Sequence, residues 1–181
     1  MSKNELLIAS KFLKSGGVIA FPTETVYGIG ALLSEPKAIR KIYKIKKRPR
    51  SKPLQILIAS MKQALELGIF NQKALKLAKN EWPGPLTLVV HKTNRVPKLI
   101  TGGTNKVGLR MPAHRTVLDL IIKCGPIVAT SANTSGAKPF LSAEEVESGF
   151  SGIDYVIPGR ARIGKASRVI DTTAGFKILR K

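Results

Sequence analysis

A chain of 181 residues, 43% of them hydrophobic, can fill one substantial core, yet no apolar run approaches the roughly 18 residues that a membrane-spanning helix needs. Cys124 is its single cysteine, which excludes an internal disulfide and a cysteine metal cluster, and with no export signal in the first residues the expected location is cytoplasmic. The formal net charge of +20 points to a polyanionic partner, RNA first, with a lysine-rich solvated surface as the alternative.

Ser2 and Glu5 form a capping-box pattern ahead of Leu6, Leu7, Phe12 and Leu13, and Gly16 with Gly17 supply a stop, so the chain opens on a helix. The short apolar run 18–21 predicts a buried strand ending at Pro22, followed by a polar loop. Ser34 is placed to cap a second helix with Pro36 in its first turn, and Ile39, Ile42 and Tyr43 recur at helical spacing. Residues 44–53 form a basic, proline-bounded loop, and 54–59 a buried strand. Helices are expected over 62–67 and 72–82, before Pro83-Gly84-Pro85 forces a break. Strands follow at 86–90, 107–111, 127–130, 155–157, 169–171 and 177–179. A helix over 116–123 carries Leu120, Ile121 and Ile122 toward Cys124, which reads as a small buried side chain. Ser142 with Glu145 marks another short helix, and 159–166 is a basic loop. Strands and helices alternate without an internal repeat, which gives one α/β domain over 1–181 with a mixed, twisted sheet and flanking helices.

No glycine-rich loop has the lysine and hydroxyl spacing of a P-loop, and no dinucleotide fingerprint follows a strand, so a nucleotide site must be built another way. His91 and His114 lack a neighbouring cysteine or paired carboxylate at ligand spacing, so no protein-held metal is expected; no glycine-serine-glycine elbow marks a nucleophile. Polar loops beside strands remain. Pro22-Thr23-Glu24-Thr25-Val26-Tyr27-Gly28 sets hydroxyls and backbone groups at a sheet edge, either as a ligand site or as a capped turn. Lys46, Arg48, Arg50 and Lys52 repel one another unless a polyanion such as a triphosphate, or solvent, screens them. Thr130-Ser131-Ala132-Asn133-Thr134-Ser135-Gly136 offers hydroxyls and an amide to phosphate or ribose oxygens, or to a helix cap. Arg110, at a strand end before Pro112, either holds a carboxylate or lies on the surface.

With these loops the chain resembles the threonylcarbamoyl-AMP synthases, the YrdC and Sua5 proteins. The resemblance runs from about Gly16 to Arg180 on landmarks in order: Pro22 to Gly28, Lys46-Lys47-Arg48-Pro49, Trp82-Pro83-Gly84-Pro85-Leu86-Thr87, Arg110-Met111-Pro112 and Ser131 to Gly136. It implies a YrdC-like fold in its single-domain form, with ATP and L-threonine on a concave basic face. Thr25, Arg110, the backbone around Ala129 and the Ser167 hydroxyl would contact threonine. Lys46, Arg48, Lys52, Ser131, Asn133 and Arg180 would hold ATP, with Lys46 and Arg48 as the catalytic cations.

The implied reaction converts L-threonine, bicarbonate or CO2, and ATP with Mg²⁺ across its phosphates, to L-threonylcarbamoyladenylate and pyrophosphate. Its product would feed the threonylcarbamoyladenosine modification of tRNA through downstream threonylcarbamoyl-transfer proteins. Leu57 departs from the family pattern, standing where longer relatives have a threonine-contacting histidine; Lys52 often appears elsewhere as asparagine, and Ser167 precedes Arg168 instead of threonine. A noncatalytic RNA-binding module or RNA chaperone would explain the charge but not the threonine-rich and serine-asparagine loops. A carbamoyl-transfer domain would bring an accessory domain and a cysteine-rich zinc region, neither of which is here.

Overall fold

The computed structural model describes residues 3–134 and 136–181, so the proposed cap at Ser2 lies outside the described residues. Helix α1 (Lys3–Lys14) buries Ala9 and Leu13, while Leu7 turns to solvent instead of the core. Strand β1 (Ile19–Phe21) pairs antiparallel with β2 (Gly28–Leu32), a strand that its two glycines disguise as loop. A Cβ on Gly30 would sit 2.7 Å from Ile127 Cγ2 and 2.8 Å from the Val128 carbonyl, so this close crossing admits only glycine.

Helix α2 (Pro36–Ile45) buries Ala38, Ile39, Ile42 and Tyr43. Its N-cap is Glu35 without a side-chain bond, not Ser34, because Pro36 at the first position has no N–H to satisfy. Strand β3 (Gln55–Leu57), helix α3 (Met61–Leu67), the two-residue β4 (Gly68–Ile69) and helix α4 (Gln72–Glu81) follow, then β5 (Leu86–Lys92) and β6 (Lys106–Arg110). Helix α5 (Arg115–Cys124) leaves Cys124 half-buried at its last residue, less enclosed than expected. Next comes β7 (Ile127–Ser131), and then α6 (Ala143–Gly149), where Ser142 Oγ accepts from the Glu145 amide as the capping pattern requires, while Glu145 Oε2 accepts from the amide of Leu141, one residue before the cap, instead of that of Ser142. Strands β8 (Tyr155–Val156), β9 (Arg168–Asp171) and β10 (Lys177–Arg180) complete the chain.

All ten strands belong to one sheet in the order β10-β9-β5-β6-β3-β7-β2-β1-β8, with β4 added beside β5. The β3–β6, β5–β9 and β1–β8 pairs are parallel and the others antiparallel, which makes the sheet mixed. Strand side chains alternate between faces. One face carries Ala20, Ile29, Ile56, Leu86, Leu88, Val90, Leu109 and Val128 and is covered along its length by residues of α2, α3, α4 and α6. On the other face α1 and α5 pack together over Ile19, Phe21, Leu32, Leu57, Ile127 and Ala129. These two helices cover the β1–β2–β7 half and reach Leu57 at the end of β3, while the β9–β5–β6 part of that face, with Gln55 of β3, forms the floor of a cavity.

Candidate active site

The cavity has a volume of about 410 Å³, within the usual range for small-molecule sites. Its floor follows from register: Asp171 lies opposite Val89, Val89 opposite Gly108, Gly108 opposite Gln55, and Gln55 opposite Ala129. Gly108 keeps the centre of that row low, and Ala129 its end. Arg48 and Pro53 form one wall, Ala166, Ser167, Leu179 and Arg180 another, and Val26 with Ser131 a third. A recess of about 20 Å³ adjoins it, lined by Thr23, Thr25, Leu57, Arg110 and Thr130 among others.

The helix-to-loop turn after α2 decides which cation reaches the cavity. Lys47 takes φ 49°, the one non-glycine in the left-handed region among the described residues. The Lys47 amide donates to the Lys44 carbonyl and the Arg48 amide to the Tyr43 carbonyl, a Schellman ending. The turn directs Lys46 inward and Arg48 toward the cavity. Lys46 is 1% exposed, and its Nζ donates to the carbonyls of Ser131 (2.5 Å) and Asn133 (2.6 Å) and to Asn133 Oδ1 (2.8 Å). Burial, with the nearby Arg48 charge, pulls this ammonium down to about 7, while the three oxygens oppose that by favouring its proton.

Three arginines line the cavity in a common manner. Arg48 donates from Nε and Nη2 to the Lys52 and Pro53 carbonyls, and Arg180 from the same nitrogens to the Ser167 carbonyl and Oγ. Arg110 donates from Nε to the Gly84 carbonyl and from Nη2 to Glu24 Oε1 (2.8 Å) and Thr25 Oγ1 (3.0 Å). Each is thus fixed by two nitrogens, and each Nη1 has no acceptor among the described residues. Burial lowers the pKa of Arg48 and of Arg180, the latter further through Arg110; an anion between them would relieve both effects.

Proton counting gives the hydroxyls directions. Thr23 Oγ1 donates its one proton to the Val26 carbonyl, so the 2.7 Å contact between the Thr23 and Thr25 hydroxyls has Thr25 as donor. Thr25 Oγ1 is left to accept from Arg110. Thr87 Oγ1 donates to Gln55 Oε1, which makes Ser167 the donor in its 2.9 Å contact with Thr87. Ser167 in turn accepts from Arg180, giving a relay Arg180 to Ser167 to Thr87 to Gln55. Ser131 Oγ donates to Asn133 Oδ1.

Of the residues singled out in the sequence, Arg48, Arg110, Ala129, Ser131, Ser167 and Arg180 line the cavity, and Thr25 lines the recess with Arg110, Ala129 and Ser131. Lys46 and Asn133 stand behind the wall, both buried and bonded to each other. Lys52 is exposed and outside the lining, because its backbone carbonyl is what Tyr43 and Arg48 hold. Gln55, Thr104, Lys106 and Asp171 also line the cavity and were not singled out. Their signal was faint: Gln55, Lys106 and Asp171 are single polar residues at the ends of short strands, and Thr104 lies in the bend before β6.

No group of three histidine, cysteine, aspartate or glutamate side chains that could hold a metal occurs among the described residues. Asp171 is the single carboxylate in the lining, and both its oxygens are taken, Oδ2 by Lys106 (2.9 Å) and Oδ1 by Thr173. The lining thus leaves no carboxylate oxygen free among the described residues.

A sequence model of the Sua5, YciO and YrdC proteins, described as telomere recombination, matches residues 11–181. The chain belongs to the Sua5/YciO/YrdC family. It is 46% identical over 173 residues to the threonylcarbamoyl-AMP synthase of Pyrococcus abyssi, a match covering 93% of this chain and 51% of that protein. It is 37% identical over 154 residues to the threonylcarbamoyl-AMP synthase of Psychromonas ingrahamii, covering 83% and 81%. The crystal structure of Pyrococcus abyssi Sua5 complexed with L-threonine superposes with a TM-score of 0.95 at 44% identity, over 99% of this chain and 54% of that one. This chain therefore spans about half the length of its Pyrococcus relative. No described helix is long and apolar enough to cross a membrane.

Proposed function

We propose that this family member converts L-threonine, bicarbonate or CO2, and ATP to L-threonylcarbamoyladenylate and pyrophosphate, in the cytoplasm, for the threonylcarbamoyladenosine modification of tRNA. The observation that carries the reading is the convergence of Arg48, Arg110 and Arg180, each with Nη1 unpaired among the described residues, around one cavity that Ser131 also lines. Two anions must meet in this reaction. The threonine amine adds to CO2 and releases a proton; a carbamate oxygen then attacks the α-phosphorus as the bond to pyrophosphate breaks. Arg110, beside the Thr25 recess, suits the amino-acid carboxylate, whereas Arg48 and Arg180 suit phosphate oxygens. Mg²⁺ bound to the nucleotide supplies charge neutralisation across its phosphates. Neither step needs a titrating base from the protein, because preorganised cations stabilise the negative charge that develops.

Pyrophosphate release from ATP, Mg²⁺ and bicarbonate should depend on threonine, and Arg48→Ala should cut it about 100-fold or more, as removal of one charge-stabilising donor does elsewhere, without unfolding the chain. Unchanged turnover in that variant would remove the phosphate role.

RNA contact and delivery to downstream transfer proteins complete the proposal. Lys37, Arg40, Lys44 and Lys47 are exposed along one face of α2 and its ending, continued by exposed Arg50 and Lys52. This stripe favours RNA as the polyanion. Retention of RNA that weakens with salt, together with no threonine-dependent pyrophosphate, would instead select the noncatalytic RNA-binding module.

A further inference from the structure

We propose that Lys46 is a positioning residue, which leaves Ser131 free to turn its hydroxyl to a phosphate oxygen, and that Lys46 itself touches no phosphate. The inference rests on the nucleotide reading above but divides the Lys46-x-Arg48 pair into two different roles. Lys46 is absent from the cavity lining, and its three protons all go to protein oxygens. Arg48, turned outward by the left-handed Lys47, is the cation of the pair that lines the cavity.

Asn133 explains why a buried ammonium belongs there. Its Nδ2 donates to the Ala137 carbonyl at 2.6 Å, and its Oδ1 accepts from both Lys46 and Ser131. Ser131 has one hydroxyl proton. Turning it to a ligand takes it from Asn133 Oδ1, and Lys46 keeps that buried oxygen satisfied during the exchange. Without Lys46, the Ser131 proton is the last donor Oδ1 has, and leaving a buried acceptor unpaired is costly, so the hydroxyl stays committed to Asn133. Lys46 also fixes the Ser131 and Asn133 carbonyls, which holds the end of β7 in register with the cavity wall.

The test is ATP affinity, measured calorimetrically on the whole chain. Lys46→Met should weaken ATP about tenfold, which corresponds to about 1.4 kcal/mol. The double variant Lys46→Met/Asn133→Leu, which removes the oxygen that captures the Ser131 proton, should bind ATP about threefold more tightly than Lys46→Met alone, the remaining deficit reflecting the Ser131 and Asn133 carbonyls that still lack their donor. A phosphate-contacting lysine predicts no recovery, and that result would overturn the proposal. Wild-type protein supplies a measurement independent of variant folding: acylation by N-hydroxysuccinimide acetate, read by peptide mass, with and without ATP. Lys46 should stay unmodified in both samples while the exposed Lys47 and Lys52 react; labelling of Lys46 that ATP suppresses would also overturn it. Wild type that binds no ATP defeats the nucleotide reading itself, whereas failed recovery beside normal wild-type binding defeats this proposal alone.

Discussion

Removing Arg110 should cost the fold more than any exposed charge would, and replacing its partner as well should return most of that loss. The Arg110 and Glu24 side chains are 4% and 10% exposed, and their ion pair is 2.8 Å long. Glu24 Oε2 is buried with no hydrogen-bond partner among the described residues, so Arg110 is the donor on which this carboxylate depends. Breaking such a pair from one side leaves an uncompensated buried charge and costs about 3–5 kcal/mol. For a chain of this size, each kcal/mol moves the midpoint of thermal unfolding by about 2–4 °C, so Arg110→Met should lower it by roughly 6–20 °C. Replacing both members of a buried pair by apolar side chains is often neutral, so Glu24→Met/Arg110→Met should regain most of the stability. Urea unfolding followed by circular dichroism gives both free energies, with an unchanged m-value expected if the native and denatured states are otherwise alike. Threonine-dependent pyrophosphate release should be lost in both variants. A double variant no more stable than Arg110→Met would refute the reasoning, because the cost would then reside in lost packing and not in the stranded carboxylate.

Tyr27→Phe removes the donor that reaches the Ile157 carbonyl at 2.5 Å and the Gly159 carbonyl at 3.2 Å, and should destabilise by about 1–3 kcal/mol in the same urea assay. Lys47→Gly relieves a left-handed residue at about 1–2 kcal/mol but adds freedom to the unfolded chain worth about 0.5–1, so a gain between zero and about 1.5 kcal/mol is expected; a clear loss would contradict the turn assignment. Asp154 accepts from Lys41 Nζ at both oxygens (2.7 Å each) and from the Val18 amide (2.7 Å). Desolvation alone would raise its pKa, but these bonds outweigh it and hold the carboxyl below the usual range. Its contribution is therefore present above the unfolded value and disappears as pH falls through the lower folded one. Asp154→Asn should flatten this acid limb in a pH series of urea midpoints, and an unaltered limb would assign the effect to other carboxylates.

How far the sequence could be read depended on whether the deciding contact was local. Apolar runs at β1, β5, β6 and β7 and the Ser142–Glu145 cap are set by near neighbours, and they stand where expected. Strand β2 was invisible because glycine weakens a strand pattern, and its Gly30 answers to Ile127 and Val128, nearly 100 residues away. The cap on α2 went to Glu35 because proline had already removed the donor that Ser34 would have served. At the site, the charges of Lys46 and Arg48 were evident, but their opposite directions were not. Direction is set by a left-handed residue after the helix, and that position is usually marked by glycine, whereas here it is Lys47.

Alternation within the central strands carried a signal that pattern reading alone undervalues. In β5, Leu86, Leu88 and Val90 belong to the covered face, while Thr87 and Val89 point to the face that α1 and α5 leave bare beyond β7. A polar threonine on that second face means that it is not ordinary core, and the same holds for Gln55 on β3 and Lys106 on β6. A ten-stranded sheet with only two helices on one side must leave part of that side uncovered, and the uncovered part is where distant loops can deliver charge over a firm floor. Arg48, Arg110 and Arg180 come from a helix ending, a central strand and an edge strand, and the bare floor is the one surface that all three border. Covering it with a further helix would bury three guanidinium groups whose Nη1 atoms have no acceptor among the described residues, a cost that an anion or water can remove. The same incomplete layer that opens the cavity therefore also determines the charge of what can occupy it.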